Sequence, residues 1–155
     1  MEKELEIRQA VRSDLDSILE IETICFGPDS FSRRQLLYLI TQAKGIFYVV
    51  TDKEKVIAYS SLISNTRTHN LRIYSIAVHP DARGRKLGQL LMEKAIGFAR
   101  SHQLKKITLE VNVTNGTAIG LYLKNGFEHI RIINNYYADG SNAYYMQRKV
   151  SGDKL

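Results

Sequence analysis

The sequence predicts a mixed α/β fold with a mostly antiparallel central sheet of about seven strands and about four helices. Three β-rich runs follow one another through residues 46–78 with no helical pattern between them, which favours antiparallel pairing. Behind them a long helical pattern stands between two further runs, which is typical of a strand-helix-strand unit. No repeat and no linker interrupts the chain, so we expect one domain over residues 1–155.

The first third of the chain predicts one strand and two helices. Residues 5–11 alternate as a strand, and Ser13 with Asp16 three positions later resembles a capping pair at a helix start. After a break at residues 27–29, Ser32 is placed to cap a second helix. The apolar positions that these helices should turn inward are Leu15, Ile18, Ile21 and Cys25, then Leu36, Leu37, Leu39 and Ile40.

The remaining elements follow from alternation, turn residues and one strong helical period. Residues 46–51 and 55–63 form a predicted hairpin, and the strand over 71–78 ends where Pro80 removes a ladder donor. The segment 87–102 has helical spacing of its apolar residues. A strand over 105–113 and a short helix from Asn115 to Asn125, closed by Gly126, come next, and two strands at 127–134 and 143–150 flank Asp139-Gly140.

Composition sets limits on location and partners. The first sixteen residues contain no apolar run of signal-peptide type, and no eighteen apolar residues are consecutive, so neither export nor a membrane span is expected. Cys25 is the only cysteine, which excludes an internal disulfide and fits a reducing cytoplasm. The net charge of +6 leaves three interpretations open: nucleic acid, an anionic cofactor or a solvated surface.

The segment Arg83-Gly84-Arg85-Lys86-Leu87-Gly88 is the strongest local indication of a ligand. It lies between a predicted strand and the start of the strongest helix, where unsatisfied backbone N–H groups favour an anion. Its spacing fits neither a Walker loop nor the three-glycine dinucleotide pattern, so a nucleoside triphosphate or a nicotinamide cofactor is disfavoured. A solvated basic turn is the alternative interpretation.

Three ordered blocks of the chain resemble the GNAT acetyltransferases, and more closely their RimI and Ard1 branches, which acetylate protein N-termini. The blocks are IAVHPDARGRKLG, LEVNVTNGTAIGLYLKNGF and NNYYADGSNAYYM, and the similarity covers roughly residues 5 to 150. The resemblance implies the GNAT fold and acetyl-CoA as co-substrate. The family usually has glycine where this chain has Lys86.

The resemblance also assigns residues to acetyl-CoA. The backbone of the segment matching Ile76, Ala77 and Val78 would contact the acetyl and pantetheine portions. The segment that would hold the pyrophosphate comprises Arg83, Gly84, Arg85, Lys86, Leu87, Gly88 and Gln89. Asn115 matches a position that touches the cofactor, and the side chain can also cap the following helix, so both roles stay open.

Catalytic and acceptor residues are implied in the same way. Glu110 matches the general base, acting directly or through water, and Tyr122 matches the general acid. Tyr136 and Tyr137 match the segment that shapes the peptide pocket. Without the resemblance, Glu110 would be interpreted as a surface charge on a strand and Tyr122 as a core residue.

The hypothesis is therefore an enzyme that acetylates the N-terminal α-amine of a protein, with a ribosomal protein among the candidate acceptors. The alternatives are a GNAT enzyme for a small amine or a lysine side chain, and a non-catalytic CoA-binding or ribosome-associated module. The four histidines show no metal-ligand spacing, so no metal is expected. No aromatic-basic RNA-binding pattern occurs, so a nucleic-acid partner is not expected.

Overall fold

The computed structural model of the chain describes residues 5–42 and 45–150. The predicted domain spans residues 1–155, and the signal-peptide prediction concerns the first sixteen residues. Both therefore include residues outside the described ranges. Within them the chain forms, in order, β1 (Leu5–Gln9), α1 (Leu15–Phe26), α2 (Arg33–Thr41), β2 (Gly45–Asp52), β3 (Lys55–Asn65), β4 (Asn70–Val78), α3 (Leu87–Ser101), β5 (Lys106–Asn112), α4 (Gly116–Lys124), β6 (Glu128–Ile133) and β7 (Ala143–Lys149).

The strands form one seven-stranded sheet in the order β1-β2-β3-β4-β5-β7-β6. The pairs β1/β2, β2/β3, β5/β7 and β6/β7 are antiparallel, whereas β4 and β5 are parallel. Parallel neighbours need a crossover connection, and α3 supplies it. The predicted mixed α/β fold, with an antiparallel first half and a strand-helix-strand unit behind it, is confirmed.

The chain divides into two compact units. The first comprises the described residues up to Ile63 together with Ser75–Leu91, and the second comprises Ser64–Tyr74 with the described residues from Met92 onward. In the first unit, α1 and α2 present their predicted apolar faces to β2 and β3. The buried cluster consists of Leu15, Ile18, Ile21, Leu36, Phe47, Val49, Val56, Tyr59 and Ala77.

A buried carboxylate lies inside the first unit. Glu22 on α1 is only 2% exposed, and it accepts hydrogen bonds from the Tyr59 hydroxyl and, at 2.8 Å, from the backbone N–H of Phe31. The Ser75 hydroxyl lies 3.4 Å from the same carboxylate. Burial, and then the neighbouring Glu22 charge, raise the pKa of Tyr59 far above its ordinary value. Glu22 therefore connects α1 to the loop before α2 and to two strands.

The helix starts give one confirmed prediction and one correction. Ser32 caps α2 as predicted, accepting from the Gln35 N–H at 3.2 Å in a reciprocal capping box. The prediction that Ser13 and Asp16 form a capping pair is wrong. α1 begins at Leu15 after a short 3-10 turn, and the N-cap residue of α1 is Asp14. Asp16 instead pairs with Arg33 at 2.6 Å.

Asp14 holds the N-terminal turn together. Its carboxylate accepts from the Arg8 guanidinium at 2.8 and 3.0 Å and from the Val11 N–H at 2.8 Å. The Arg8 hydrogen bond is the main reason that the pKa of Asp14 lies below its ordinary value, although burial opposes the shift. The turn thus ties β1 to the start of α1.

In the second unit, both ends of α4 follow from the sequence. Asn115 caps the helix, its side-chain oxygen accepting from the Ala118 N–H at 3.2 Å. Gly126 follows the C-cap residue with φ of 90°, a left-handed conformation that glycine adopts without a Cβ penalty. Both features were predicted. Among the helices of the described ranges, none is long and apolar enough to cross a membrane.

Candidate functional site

The predicted acetyl-contacting segment lies at the end of β4. Ala77 is buried in the core of the first unit, while Ile76 and Val78 are half-buried. The Val78 carbonyl accepts from Arg83 Nε at 3.3 Å and lies 3.6 Å from the Cys25 sulfur. The side chain of Ala77 therefore serves packing, and any role for this segment in binding rests on its backbone.

The basic loop, residues Arg83–Lys86, joins the end of β4 to α3 through a short turn at Pro80–Ala82. Gly84 has φ of 87°, and a Cβ built on it would meet no atom within 4 Å. Lys86 also has positive φ, 62°, immediately before the first residue of α3. Leu87, Gly88 and Gln89 form the first turn of α3. A helix start favours an anion through its first backbone N–H groups and its dipole.

The cations of the basic loop differ in their surroundings. Arg85 pairs with Asp52 at 2.9 Å, and the Arg83 guanidinium lies 3.4 Å from the Cys25 sulfur. Lys86 is exposed and makes no ion pair within the ranges the structure describes. An exposed ion pair contributes only about 0–1 kcal/mol, so Asp52 is a weak competitor for a phosphate group. Exposed cations, open space beside Gly84 and a helix start together fit a pyrophosphate.

The carboxylate cluster of the second unit comprises Arg72, Tyr74, Glu110 and Tyr136. Arg72 on β4 donates from Nε and from a terminal nitrogen to Glu110 Oε1 on β5, at 3.3 and 3.0 Å. Its guanidinium carbon also lies 4.4 Å from the centre of the Tyr74 ring. The side chain of Glu110 is 15% exposed. Glu110 is thus a partly buried, paired carboxylate and not the solvated strand charge of the alternative interpretation.

Tyr136 and Tyr137 lie on the loop between β6 and β7. Both backbone N–H groups donate to the Ser141 carbonyl, at 3.0 and 3.1 Å, and the two rings meet edge to face with centroids 4.9 Å apart. Burial raises the pKa of Tyr136, and the Glu110 charge adds to the shift while Arg72 opposes it. Tyr136, which is predicted to shape the peptide pocket, and Glu110, the predicted base, therefore interact in one cluster.

Tyr122 on α4 is buried, with 5% of its surface exposed. Its ring packs against Phe127 with centroids 5.7 Å apart. Burial, with a smaller contribution from Tyr137, raises the pKa of Tyr122 well above its ordinary value. A phenol is protonated at neutral pH even without this shift, as a general acid requires, and the burial is equally that of a core residue. Its catalytic role stays a prediction.

Arg72, Tyr74 and Asp52 were missed by sequence reasoning. Arg72 and Tyr74 alternate with the buried residues Leu71, Ile73 and Ser75 along β4, so they share the other face of the strand. A charged residue inside an apolar strand is the signal that could have drawn attention to Arg72. Its partner lies 38 positions away and depends on strand register. In the described part of the chain, no group of three His, Cys, Asp or Glu side chains could hold a metal ion.

A sequence model described as the acetyltransferase (GNAT) family matches residues 15–127 of the chain. The chain belongs to this family. It is accordingly an acyltransferase, and the fold that the resemblance implied is the fold observed.

Named relatives and solved structures extend the match over nearly the whole chain. The chain is 28% identical to an N-alpha-acetyltransferase of Sulfurisphaera tokodaii, covering 93% of this chain and 92% of the relative. It is 29% identical to a putative ribosomal protein bS18-alanine N-acetyltransferase of Bacillus subtilis, covering 94% and 96%. The crystal structure of Ard1 from Thermoplasma volcanium superposes with a TM-score of 0.87 at 28% identity, covering 97% of this chain and all of that one.

Proposed function

We propose that this GNAT enzyme transfers the acetyl group of acetyl-CoA to the N-terminal α-amine of a protein. The observation that carries the proposal is the state of two side chains in the second unit. Glu110 is a carboxylate paired with a guanidinium, and Tyr122 is a buried phenol that is protonated at neutral pH. Acyl transfer to an amine needs a proton acceptor for the amine and a proton donor for the departing thiolate.

The choice of an α-amine follows from its acidity. A protein α-ammonium group has a pKa of about 7.7–8.0, against about 10.4 for lysine, so a terminal amine is already partly neutral near pH 7.5. Glu110 then has to accept one proton only, directly or through a water molecule. One relative named as an N-alpha-acetyltransferase and another named as a putative bS18-alanine N-acetyltransferase support the same acceptor class.

The residues of the first unit would bind the co-substrate. The basic loop and the first turn of α3 supply positive charge and backbone N–H groups for the pyrophosphate. A strand N–H beside Ala77 would polarise the thioester carbonyl, as an oxyanion donor does. Acetyl-CoA supplies the activated acyl group, and Tyr122 protonates the thiolate as the carbon–sulfur bond breaks.

Intact-mass analysis of peptides incubated with the protein and acetyl-CoA tests the proposal. The first peptide begins with alanine and reproduces the start of a bS18 ribosomal protein, because one relative is named for that acceptor. This peptide contains an internal lysine. The matched control has the same sequence, including that lysine, but its N-terminus is blocked. We expect one acetyl group on the free peptide and none on the control.

The remaining outcomes would contradict the proposal in different ways. Acetylation of the blocked peptide would indicate a lysine acetyltransferase. Stabilisation by CoA without turnover of any amine would indicate a CoA-binding module. We expect acetyl-CoA and CoA to raise the thermal midpoint by similar amounts once each exceeds its dissociation constant, and ATP or nicotinamide dinucleotides to do much less.

A further inference from the structure

The two oxygens of the Glu110 carboxylate differ in their surroundings. Both Arg72 donors converge on Oε1, at 3.0 and 3.3 Å. A fork-to-fork pair would engage both carboxylate oxygens, one donor on each. Here no donor from the described ranges contacts Oε2. A carboxylate offers about four lone-pair positions, so Oε2 keeps its capacity to accept a hydrogen bond or a proton.

The Arg72 guanidinium is itself held on several sides. The parallel register of β4 and β5 places Arg72 opposite Thr108, two residues before Glu110. The Tyr74 ring lies beneath the guanidinium, and Tyr136 interacts with it from the loop after β6. Arg72 is half-exposed, with 38% of its side-chain surface accessible. These contacts restrict the direction from which its N–H groups can reach Glu110.

We propose that Arg72 is a positioning residue for the acyl transfer, which fixes Oε1 of Glu110 so that Oε2 accepts the proton of the attacking amine. This inference rests on the proposed function. In the step, the amine nitrogen bonds to the thioester carbonyl carbon and the carbon–sulfur bond breaks. The amine proton goes to Oε2, directly or through water, and the thiolate takes a proton from Tyr122. Arg72 neither gains nor loses a proton.

The orientation of a catalytic group has a measurable effect on the reaction rate. A carboxylate that is not held in its reactive rotamer must reach that rotamer during the reaction, so it loses the advantage of prior alignment. Small misplacements of a catalytic group lower rates by up to roughly 10²-fold. We therefore expect Arg72→Met to lower kcat about tenfold or more, with the KM values for acetyl-CoA and peptide changed less than about threefold. Arg72→Lys should recover part of the loss, because it keeps one charged donor.

Arg131→Met is the matched control. Arg131 also lies over a tyrosine ring, 4.5 Å from the centre of Tyr145, and it is exposed on β6. Within the described ranges it donates no hydrogen bond to Glu110. Loss of charge and of a cation–π contact are thus common to both variants. We expect kcat of Arg131→Met to stay within about twofold of wild type.

A double-mutant cycle with Glu110→Gln tests whether Arg72 acts through Glu110. Once the carboxylate is absent, Arg72→Met should lower kcat little further, because the two residues act as a unit. Equal losses in both backgrounds would overturn the inference, as would wild-type kcat in Arg72→Met. A loss confined to the KM for acetyl-CoA would also overturn it and assign Arg72 to binding.

A second readout requires no turnover and separates this inference from the proposed function. The same four proteins are unfolded in urea, and the shift of the double variant is compared with the sum of the single shifts. Coupling supports the contact even if no peptide is acetylated, whereas additive shifts overturn it. If wild type acetylates peptides and Arg72→Met does so equally well, the function stands and this inference fails.

Discussion

The basic loop and the carboxylate cluster are built in opposite ways. The basic loop is a run of four consecutive residues that would act through charge and backbone N–H groups, and its arginines are engaged by Asp52, Cys25 and Val78 within the same unit. The carboxylate cluster joins residues 38 positions apart through strand register. A local motif tolerates change at one position because charge is shared, whereas a cluster that aligns one carboxylate depends on each member.

Removal of the proposed proton donor should have the largest effect. Tyr122→Phe keeps the ring against Phe127, so kcat should fall by roughly 10²-fold or more while CoA binding is retained. Burial raises the pKa of Tyr122, so the wild-type donor stays protonated as pH rises from about 6.5 to 9.5. The deficit should therefore be constant across that range. Wild-type rates in this variant would remove Tyr122 from the chemistry.

Loss of the proposed base should be smaller and pH-dependent. Glu110→Gln keeps the shape of the side chain, and we expect kcat to fall about tenfold or more near pH 7. The deficit should shrink toward pH 9.5, because a terminal amine with a pKa near 8 then deprotonates without help. Glu128→Gln, an exposed substitution on β6, is the control. A deficit that does not change with pH would assign Glu110 to orientation or substrate binding.

The buried carboxylate of the first unit should affect stability and not chemistry. Tyr59→Phe deprives Glu22 of a buried donor, and we expect the free energy of unfolding to fall by about 1–3 kcal/mol in urea titrations. Tyr38→Phe, at a tyrosine that is 57% exposed, should change it by less than about 0.5 kcal/mol. Equal changes in the two variants would mean that the hydrogen bond from Tyr59 to Glu22 contributes no more to the free energy of unfolding than an exposed tyrosine hydroxyl does.

At Lys86, geometry and charge can be separated, and the expected effect is the smallest. The left-handed backbone of Lys86 favours glycine, so Lys86→Gly should raise the free energy of unfolding by about 1 kcal/mol, whereas Lys86→Ala should not. Both lose the ammonium group and should weaken CoA binding, with a difference from wild type that shrinks in salt. Tighter CoA binding by Lys86→Gly than by wild type would show that the side chain obstructs the loop.

Sequence reasoning succeeded where the deciding interactions are local. The capping of α2 by Ser32 and of α4 by Asn115 depends on residues three positions apart, and Gly126 ends α4 through its own backbone conformation. The start of α1 was predicted wrongly because Arg8, on the preceding strand, draws Asp14 into an ion pair. That competing contact leaves Ser13 and Asp16 without the capping role that their spacing favours.

By itself the sequence determined the order of the elements, the mixed α/β class and the family, since periodicity, turn residues and three motif blocks are properties of neighbouring residues. It also identified Lys86 as the unusual residue of the basic loop. Only the tertiary structure decided that Arg72 meets Glu110, that both its donors share one oxygen, and that Tyr136 joins them. Strand register brings these side chains together, and a shift of one residue would place Glu110 on the opposite face.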